Sequence, residues 1–338
     1  MPTGGPRSAA ILALTGGGIM ARFTTQVLEN MQDYRTAAAG AGTDREPIRE
    51  AFDAMAGTSA GALCVAGLVM GRSPAELSQL FDEHGPRIFP KAGFRRKLRW
   101  AVSTKYDNGP LKDALNSAMG GADPELGEID QLIAIPAIDE TEGKPVVLTN
   151  ADPTYKRIKL SDAVLASAAA PTYFAAHRIG NAGHRYVDGG MFANAPDFAA
   201  LTLVRRTWPH LALSDLHLIS IGTTNASSKS LYGDAHPGAK GLFSWAARPP
   251  ARILKLAMRS QVDHAMDLLP QLELADFIRI DSLLDDADGE TLELDNASKP
   301  ARRALARAGA DKMMNLAPDK RSRLLMILGR RRWRNSTS

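Results

Sequence analysis

The pentapeptide Gly57-Thr58-Ser59-Ala60-Gly61 separates an apolar run, Ala51 to Ala56, from a second one, Ala60 to Val69. No other feature limits the fold as much. A strand that turns at once into a helix strains the residue at its apex, and larger side chains on either flank would collide. Glycines at 57 and 61 meet that demand. The junction lifts the Ser59 hydroxyl clear of a sheet edge and aims the amino end of the next helix at any negative charge that develops there.

The rest of the chain alternates in the same way. Ala9 to Leu14 reads as a strand, followed by helical spacing of Phe23, Val27, Leu28 and Met31. Leu132 to Pro136 and Pro145 to Leu148 read as strands joined by a polar turn, and Leu216 to Ile221 as a further strand. Ser161 is placed to cap a helix over residues 162–169 that Pro171 stops. Arg185 to Val187 is a short strand, residues 227–250 form a loop rich in Gly, Pro and Ser, and helical patterns run over Ile253 to Leu269 and Arg302 to Leu316. Such alternation predicts an α/β fold around a mostly parallel sheet. With 44% hydrophobic residues in 338, a large core needs no disulfide, and the single cysteine, Cys64, permits none. Within its apolar run Cys64 reads as a small buried hydrophobe.

A serine needs a base to become a nucleophile. Asp188-Gly189-Gly190 follows a short strand and a helix ending in Ala-Ala-Ala-Pro, so Asp188 is the candidate, although Asp-Gly-Gly also suits a plain turn. Gly16-Gly17-Gly18, after the first strand, can present backbone N–H groups to an oxyanion. It also fits a dinucleotide-binding loop through Gly16-x-Gly18-x-x-Ala21, but the acidic residue which that fingerprint requires is replaced by Ala37 to Gly42. His210, His217, His236 and His264 are third members of a triad by position only. No metal-binding spacing occurs, so neither a metal nor a cofactor is expected.

The order glycine loop, G-x-S-x-G elbow, Asp-Gly-Gly resembles the patatin-like phospholipases. Ser167-Ala168-Ala169-Ala170-Pro171, Asn194, Pro196 and Ser220-Ile221-Gly222-Thr223 extend the resemblance over residues 8–225. It implies a three-layer α/β/α sandwich and a Ser–Asp dyad without histidine. Ser59 is then the nucleophile, Asp188 the base, Gly16, Gly17 and Gly18 the oxyanion hole, and Gly57, Gly61, Gly189 and Gly190 the structural glycines. Residues 226–338 are expected as a loop and helices packed on that core, with a basic tail over 330–338. The family loop usually reads Asp-Gly-Gly-Gly-x-Arg-Gly; here Thr15, Met20 and Ala21 depart from it, and Arg22 comes two places late. His84-Gly85-Pro86-Arg87-Ile88-Phe89-Pro90 and Tyr106-Asp107-Asn108-Gly109-Pro110-Leu111 resemble the bacterial patatin-like effectors of CBASS anti-phage signalling. That resemblance implies a cyclic di- or trinucleotide activator and a membrane phospholipid substrate.

Net charge is +4, with cations grouped at Arg95, Arg96, Lys97 and Arg99 beside Phe94 and Trp100, and at Arg330, Arg331, Arg332 and Arg334 around Trp333. Both groups read either as solvated surface and frayed tail or as contacts to an anionic leaflet. No zinc-finger or RNP pattern accompanies them, so duplex DNA or RNA is not an expected partner. Ala9 to Leu14 is too short for a signal segment, and no window reaches about 18 apolar residues. The sequence thus predicts a cytoplasmic protein that works peripherally at the inner membrane, and leaves a homo-oligomer open. Two other readings share these motifs: a nucleotide-binding oxidoreductase, and a catalytically silent sensor with the same fold.

Overall fold

Strand β1 (Ala9–Leu14) is buried along its whole length, as a run of six apolar residues demands. It lies parallel to β2 (Ala54–Gly57) on one edge and to β7 (Leu216–Ile221) on the other. Alternate side chains point to opposite faces of a sheet. Here Ala10, Leu12 and Leu14 join one core, and Ala9, Ile11 and Ala13 join another. The computed structural model describes residues 5–39, 46–91, 104–180, 183–226, 252–284 and 293–334.

The eight-stranded sheet runs β5 (His177–Ile179), β6 (His184–Asp188), β3 (Leu132–Asp139), β2, β1, β7, β9 (Asp276–Ile280), and β4 (Lys144–Thr149) also pairs with β3, while the short β8 (Asn225–Ala226) and β10 (Leu283–Leu284) pair with each other off this sheet. β2, β1, β7 and β9 run parallel to β3, while β4, β5 and β6 add antiparallel pairs. β3 is long enough to bond β2 with its first half and β6 with its second. The base candidate at the end of β6 thereby comes beside the β2 elbow. Helices α1 (Ala21–Ala39), α2 (Ala60–Val69), α3 (Pro74–Ile88), α4 (Gly109–Met119) and α5 (Leu160–Ala168) cover one face. The short α6 (Gly190–Ala193) leads into α7 (Asp197–Thr207), which covers the other. The expected three-layer α/β/α architecture is present.

α2 is buried all round. A helix apolar on every side belongs in the interior, and its Ala and Gly residues let it lie close to the sheet. Cys64 is fully buried there, and burial pushes its thiol up to about 12, so it packs and does not react. The chain continues through α8 (Arg252–Leu268), α9 (Lys299–Met314) and α10 (Pro318–Leu328). Residues beyond 226 were expected as loop and helices, but they also supply β9 to the sheet. The loop expected over 227–250 and the basic cluster over 95–99 lie outside the described residues.

Two local expectations are corrected. The second strand begins at Ala54, because Ile48–Ala51 form a 3-10 turn and Asp53 is drawn into bonds with distant backbone. Ser161 does not cap its helix. The cap position is Lys159, and the Ser161 amide and hydroxyl both donate to Asp123, at 3.0 and 2.7 Å. A carboxylate 38 positions earlier does the work expected of a local hydroxyl.

The basic tail is the larger correction. Over its described part it is not frayed but packs on the body of the protein, with Arg331 and Arg334 exposed. Arg332 is 7% exposed and pairs with Glu50 at 3.0 Å and Asp130 at 2.6 Å. Arg330 donates to Ser8, Arg331 pairs with Glu46, and Arg334 pairs with Glu50. The Trp333 amide donates to the buried Asp53 at 2.6 Å, and its ring packs edge-on against Trp208. Uncompensated Glu50 and Asp53 carboxylates near the core supply the reason: buried charges need partners. Arg332→Ala should therefore lower stability by about 1.5–3 kcal/mol, because it removes the most buried cation from Glu50 and leaves it with the more exposed Arg334 and Arg49. An unchanged denaturation midpoint would show that these contacts are ornamental.

Candidate active site

The carboxyl ends of the parallel strands β1 and β2 bring the glycine loop and the elbow together. Ser59 sits between β2 and α2 with φ 54 and ψ −120, a left-handed conformation that serine rarely adopts. The surroundings hold it there. Its amide donates to Ser167 Oγ at 2.9 Å, Thr58 Oγ1 donates to the Ala193 carbonyl at 2.6 Å, and the Thr58 amide donates to the Leu14 carbonyl at 3.2 Å. A Cβ at Gly61 would stand 2.3 Å from the Leu14 carbonyl oxygen, and one at Gly57 would stand 2.4 Å from the Gly61 carbonyl oxygen. Both glycines are steric necessities.

Asp188 closes β6 at 2% exposure. Its amide donates to the Ala169 carbonyl at 3.0 Å, and its Oδ1 accepts from the Gly190 amide at 2.7 Å. Gly189 allows the turn, since a Cβ there would stand 2.3 Å from the Pro136 carbonyl oxygen. Burial pushes the Asp188 carboxyl up to about 6, against the opposing pull of the bonds from the Gly190 amide and the Ser59 hydroxyl. Ser59 therefore shares its cleft with a carboxyl whose affinity for a proton has been raised. Among the described residues no histidine lines this site. His217 is engaged with Asp276 at 2.6 Å, His210 with the Pro6 carbonyl, and His264 lies on α8 beside another groove.

The three loop glycines do not play one part. The Gly16 amide donates to the Asn194 carbonyl at 3.0 Å, so it is spent on structure, against the expectation that all three amides face an oxyanion; Gly17 and Gly18 remain the candidates. Gly17 and Gly18 line the cleft with Ser59 and Asp188. They precede and open the 3-10 turn Gly18–Met20, where a helical turn's first N–H groups lack internal partners. Gly18 has φ 54 and no room for a side chain, its Cβ position being 2.2 Å from the Leu294 carbonyl oxygen.

The cleft holds about 730 Å³ and is walled by apolar side chains such as Leu63, Phe81, Ile88, Phe174, Leu254 and Met258. An apolar trench that Ser59 and Asp188 help to line suits an acyl chain. Gly85, from the motif on α3, thins one wall at Ile19.

Several contributors could not be singled out from sequence. Ser167 belongs to a quoted motif, but its bond to the elbow amide needed coordinates. Arg279 on β9 gave no local signal. It donates to Thr15 Oγ1 at 3.0 Å, Ser220 Oγ at 2.8 Å and Asp281 at 2.7 Å, tying the ends of three strands beneath the glycine loop. Arg22, the displaced loop arginine, turns away and bonds Asp82 on α3 at 3.2 Å.

The patatin-like phospholipase family profile matches residues 12–201. A "cGAMP-activated phospholipase" of Vibrio cholerae serotype O1 is 32% identical over 88% of this chain and 88% of its own length. Another of that name from Escherichia coli is 29% identical over 88% and 87%. Patatin-like protein 1 of Arabidopsis thaliana is 26% identical over 90% and 81%. The chain therefore belongs to the patatin-like phospholipases, a family of lipid ester hydrolases.

Proposed function

We propose that the protein is a phospholipase A-type acyl hydrolase with a two-residue site, Ser59 as nucleophile and Asp188 as general base. One observation supports this reading: a serine held in a left-handed elbow lines an apolar cleft together with a buried carboxyl whose proton affinity it lowers. Ser59 Oγ attacks the ester carbonyl carbon while its proton passes to Asp188. The carbonyl oxygen becomes an oxyanion facing the Gly17 and Gly18 amides, and donors of this kind contribute about 2.7–4 kcal/mol each. Collapse expels the lysolipid oxygen, which takes the proton from Asp188 and leaves an acyl-serine. Water then attacks the acyl carbon and gives its proton to Asp188. The second collapse frees the fatty acid, and that proton returns to Ser59.

The cGAMP-activated relatives support a cyclic nucleotide activator, here a di- or trinucleotide, and the further reading is an effector that degrades the host's own membrane phospholipids during phage defence. In this reading the protein works at the cytoplasmic side of the inner membrane. Among the described residues no helix is long and apolar enough to cross a bilayer, so contact is from the surface. The test is fatty-acid release from phosphatidylglycerol and phosphatidylethanolamine vesicles with and without a panel of cyclic di- and trinucleotides. Release should rise with at least one of them. Intact lipid under every condition, together with a Ser59 that does not react with a fluorophosphonate probe, would sink the reading.

A further inference from the structure

The glycine loop has a second side. Gly17 and Gly18 face the apolar cleft, but Gly16 lines another cleft of about 680 Å³, behind the loop, with Met258 and Leu294 forming walls common to both. Its chemistry is different. Lys255 and Arg259 of α8 and Arg279 of β9 line it, against the carboxylates of Asp281 and Glu293. Lys255 stands 3.7 Å from Glu293, Arg259 3.2 Å from Asp263, and Arg279 2.7 Å from Asp281.

One polar atom there, the hydroxyl oxygen of Thr224, is buried without a partner among the described residues, and the residue is 3% exposed. A buried polar group left unpaired costs about 1–3 kcal/mol. Thr224 is also strained, with φ 80, a region that β-branched residues avoid. Its amide is held by Asp281 Oδ1 at 3.0 Å, so the strain is built in from a second strand. Strain and unmet hydrogen-bonding capacity in one concavity mark a place prepared for a ligand. The Thr224 hydroxyl can donate to a phosphate oxygen, and Lys255 and Arg259 can neutralise it.

We propose that this rear cleft binds a phosphodiester-bearing ligand. The inference rests on the hydrolase reading for its two sources, the head group of the phospholipid and a cyclic dinucleotide. Thr223 connects the cleft to catalysis. Its hydroxyl reaches the Gly16 carbonyl at 3.4 Å, and a Cβ on Gly17 would lie 2.6 Å from it, so a ligand here bears directly on the loop that faces Ser59.

The test is calorimetric titration of the Ser59→Ala chain with cGAMP and, separately, with dihexanoyl-phosphatidylglycerol below its micelle concentration. The same chain carrying Lys255→Gln, Arg259→Gln or Thr224→Val is titrated alongside, and thermal melts verify folding. The Kd of at least one probe should rise about tenfold in the charge variants. Lys255→Arg should restore most of the affinity. Loss for cGAMP alone assigns an activator pocket, and loss for the lipid alone assigns a head-group subsite. Unchanged affinities for both probes, or no binding of either, overturn the proposal. Fluorophosphonate labelling of the wild-type chain reads the hydrolase separately. A chain that labels at Ser59 yet binds neither probe loses this pocket alone, and a chain that binds without labelling loses the dyad alone.

Discussion

Ser59→Ala will reduce fatty-acid release by at least about a thousandfold, to the background of the assay, because nothing else in the cleft can form the acyl intermediate. The one thiol in the chain, Cys64, is fully buried with its pKa pushed up to about 12, so it cannot substitute. The fold should persist, since the elbow is held by backbone bonds and by Ser167 and Thr58, none of which needs the Ser59 hydroxyl. Alanine keeps the left-handed backbone strain, whereas Ser59→Gly should release about 1 kcal/mol of it and melt higher. Vesicle hydrolysis with melting curves on both variants reads the two effects separately. A Ser59→Ala protein that keeps even a tenth of wild-type release would end the nucleophile assignment.

Asp188→Asn should cost about 10²- to 10⁴-fold in release, the usual range for removing a general base. The wild-type rate should also fall on the acid side of about pH 6, where the buried carboxyl takes up its proton. Stability should move the opposite way. Burial raises the folded-state value from 3.8 to about 6. Between those two values the folded chain therefore holds a proton that the unfolded chain has released. The stability tied to this group is fully present below the ordinary value and is lost as pH rises through about 6. Above that, the native state carries an ionised, buried carboxylate at a cost on the order of 2–3 kcal/mol. Asp188→Asn should thus be more stable than wild type near about pH 8, with the gap closing below about pH 4. Equal pH–stability curves for the two proteins would show that Asp188 is not held in a raised state.

The parts of the site that were legible are those written in local grammar. A strand, a tight turn and a helix place Ser59, and the glycines at 57 and 61 are fixed by collisions within a few residues. The parallel sheet follows from alternation, and β1, α2 and β7 fall on the residues that their apolar runs mark. What stayed hidden depends on partners remote in sequence. The Gly16 amide cannot be told from those of Gly17 and Gly18 until Asn194 is beside it. Ser161 was a reasonable cap until Asp123 arrived from another segment. Arg279, 264 positions from Thr15, carries no motif, yet it ties the loop's strand to its neighbours. The tail misled for the same reason, because arginines around a tryptophan look alike whether they face lipid or their own carboxylates.

The Trp333 segment also bears on the order in which the fold is assembled. Asp53 lies one position before β2, its carboxyl pushed up by burial, and it is satisfied by the amides of Ala10 and Trp333 with Arg330 at 3.8 Å. Trp333 stands 280 positions further along the chain. Until that segment folds back, the root of the strand that precedes the elbow holds a buried carboxyl short of two of its three partners. Local order at Ser59 is thus tied to a long-range contact, and the elbow settles only after residues remote in sequence have docked.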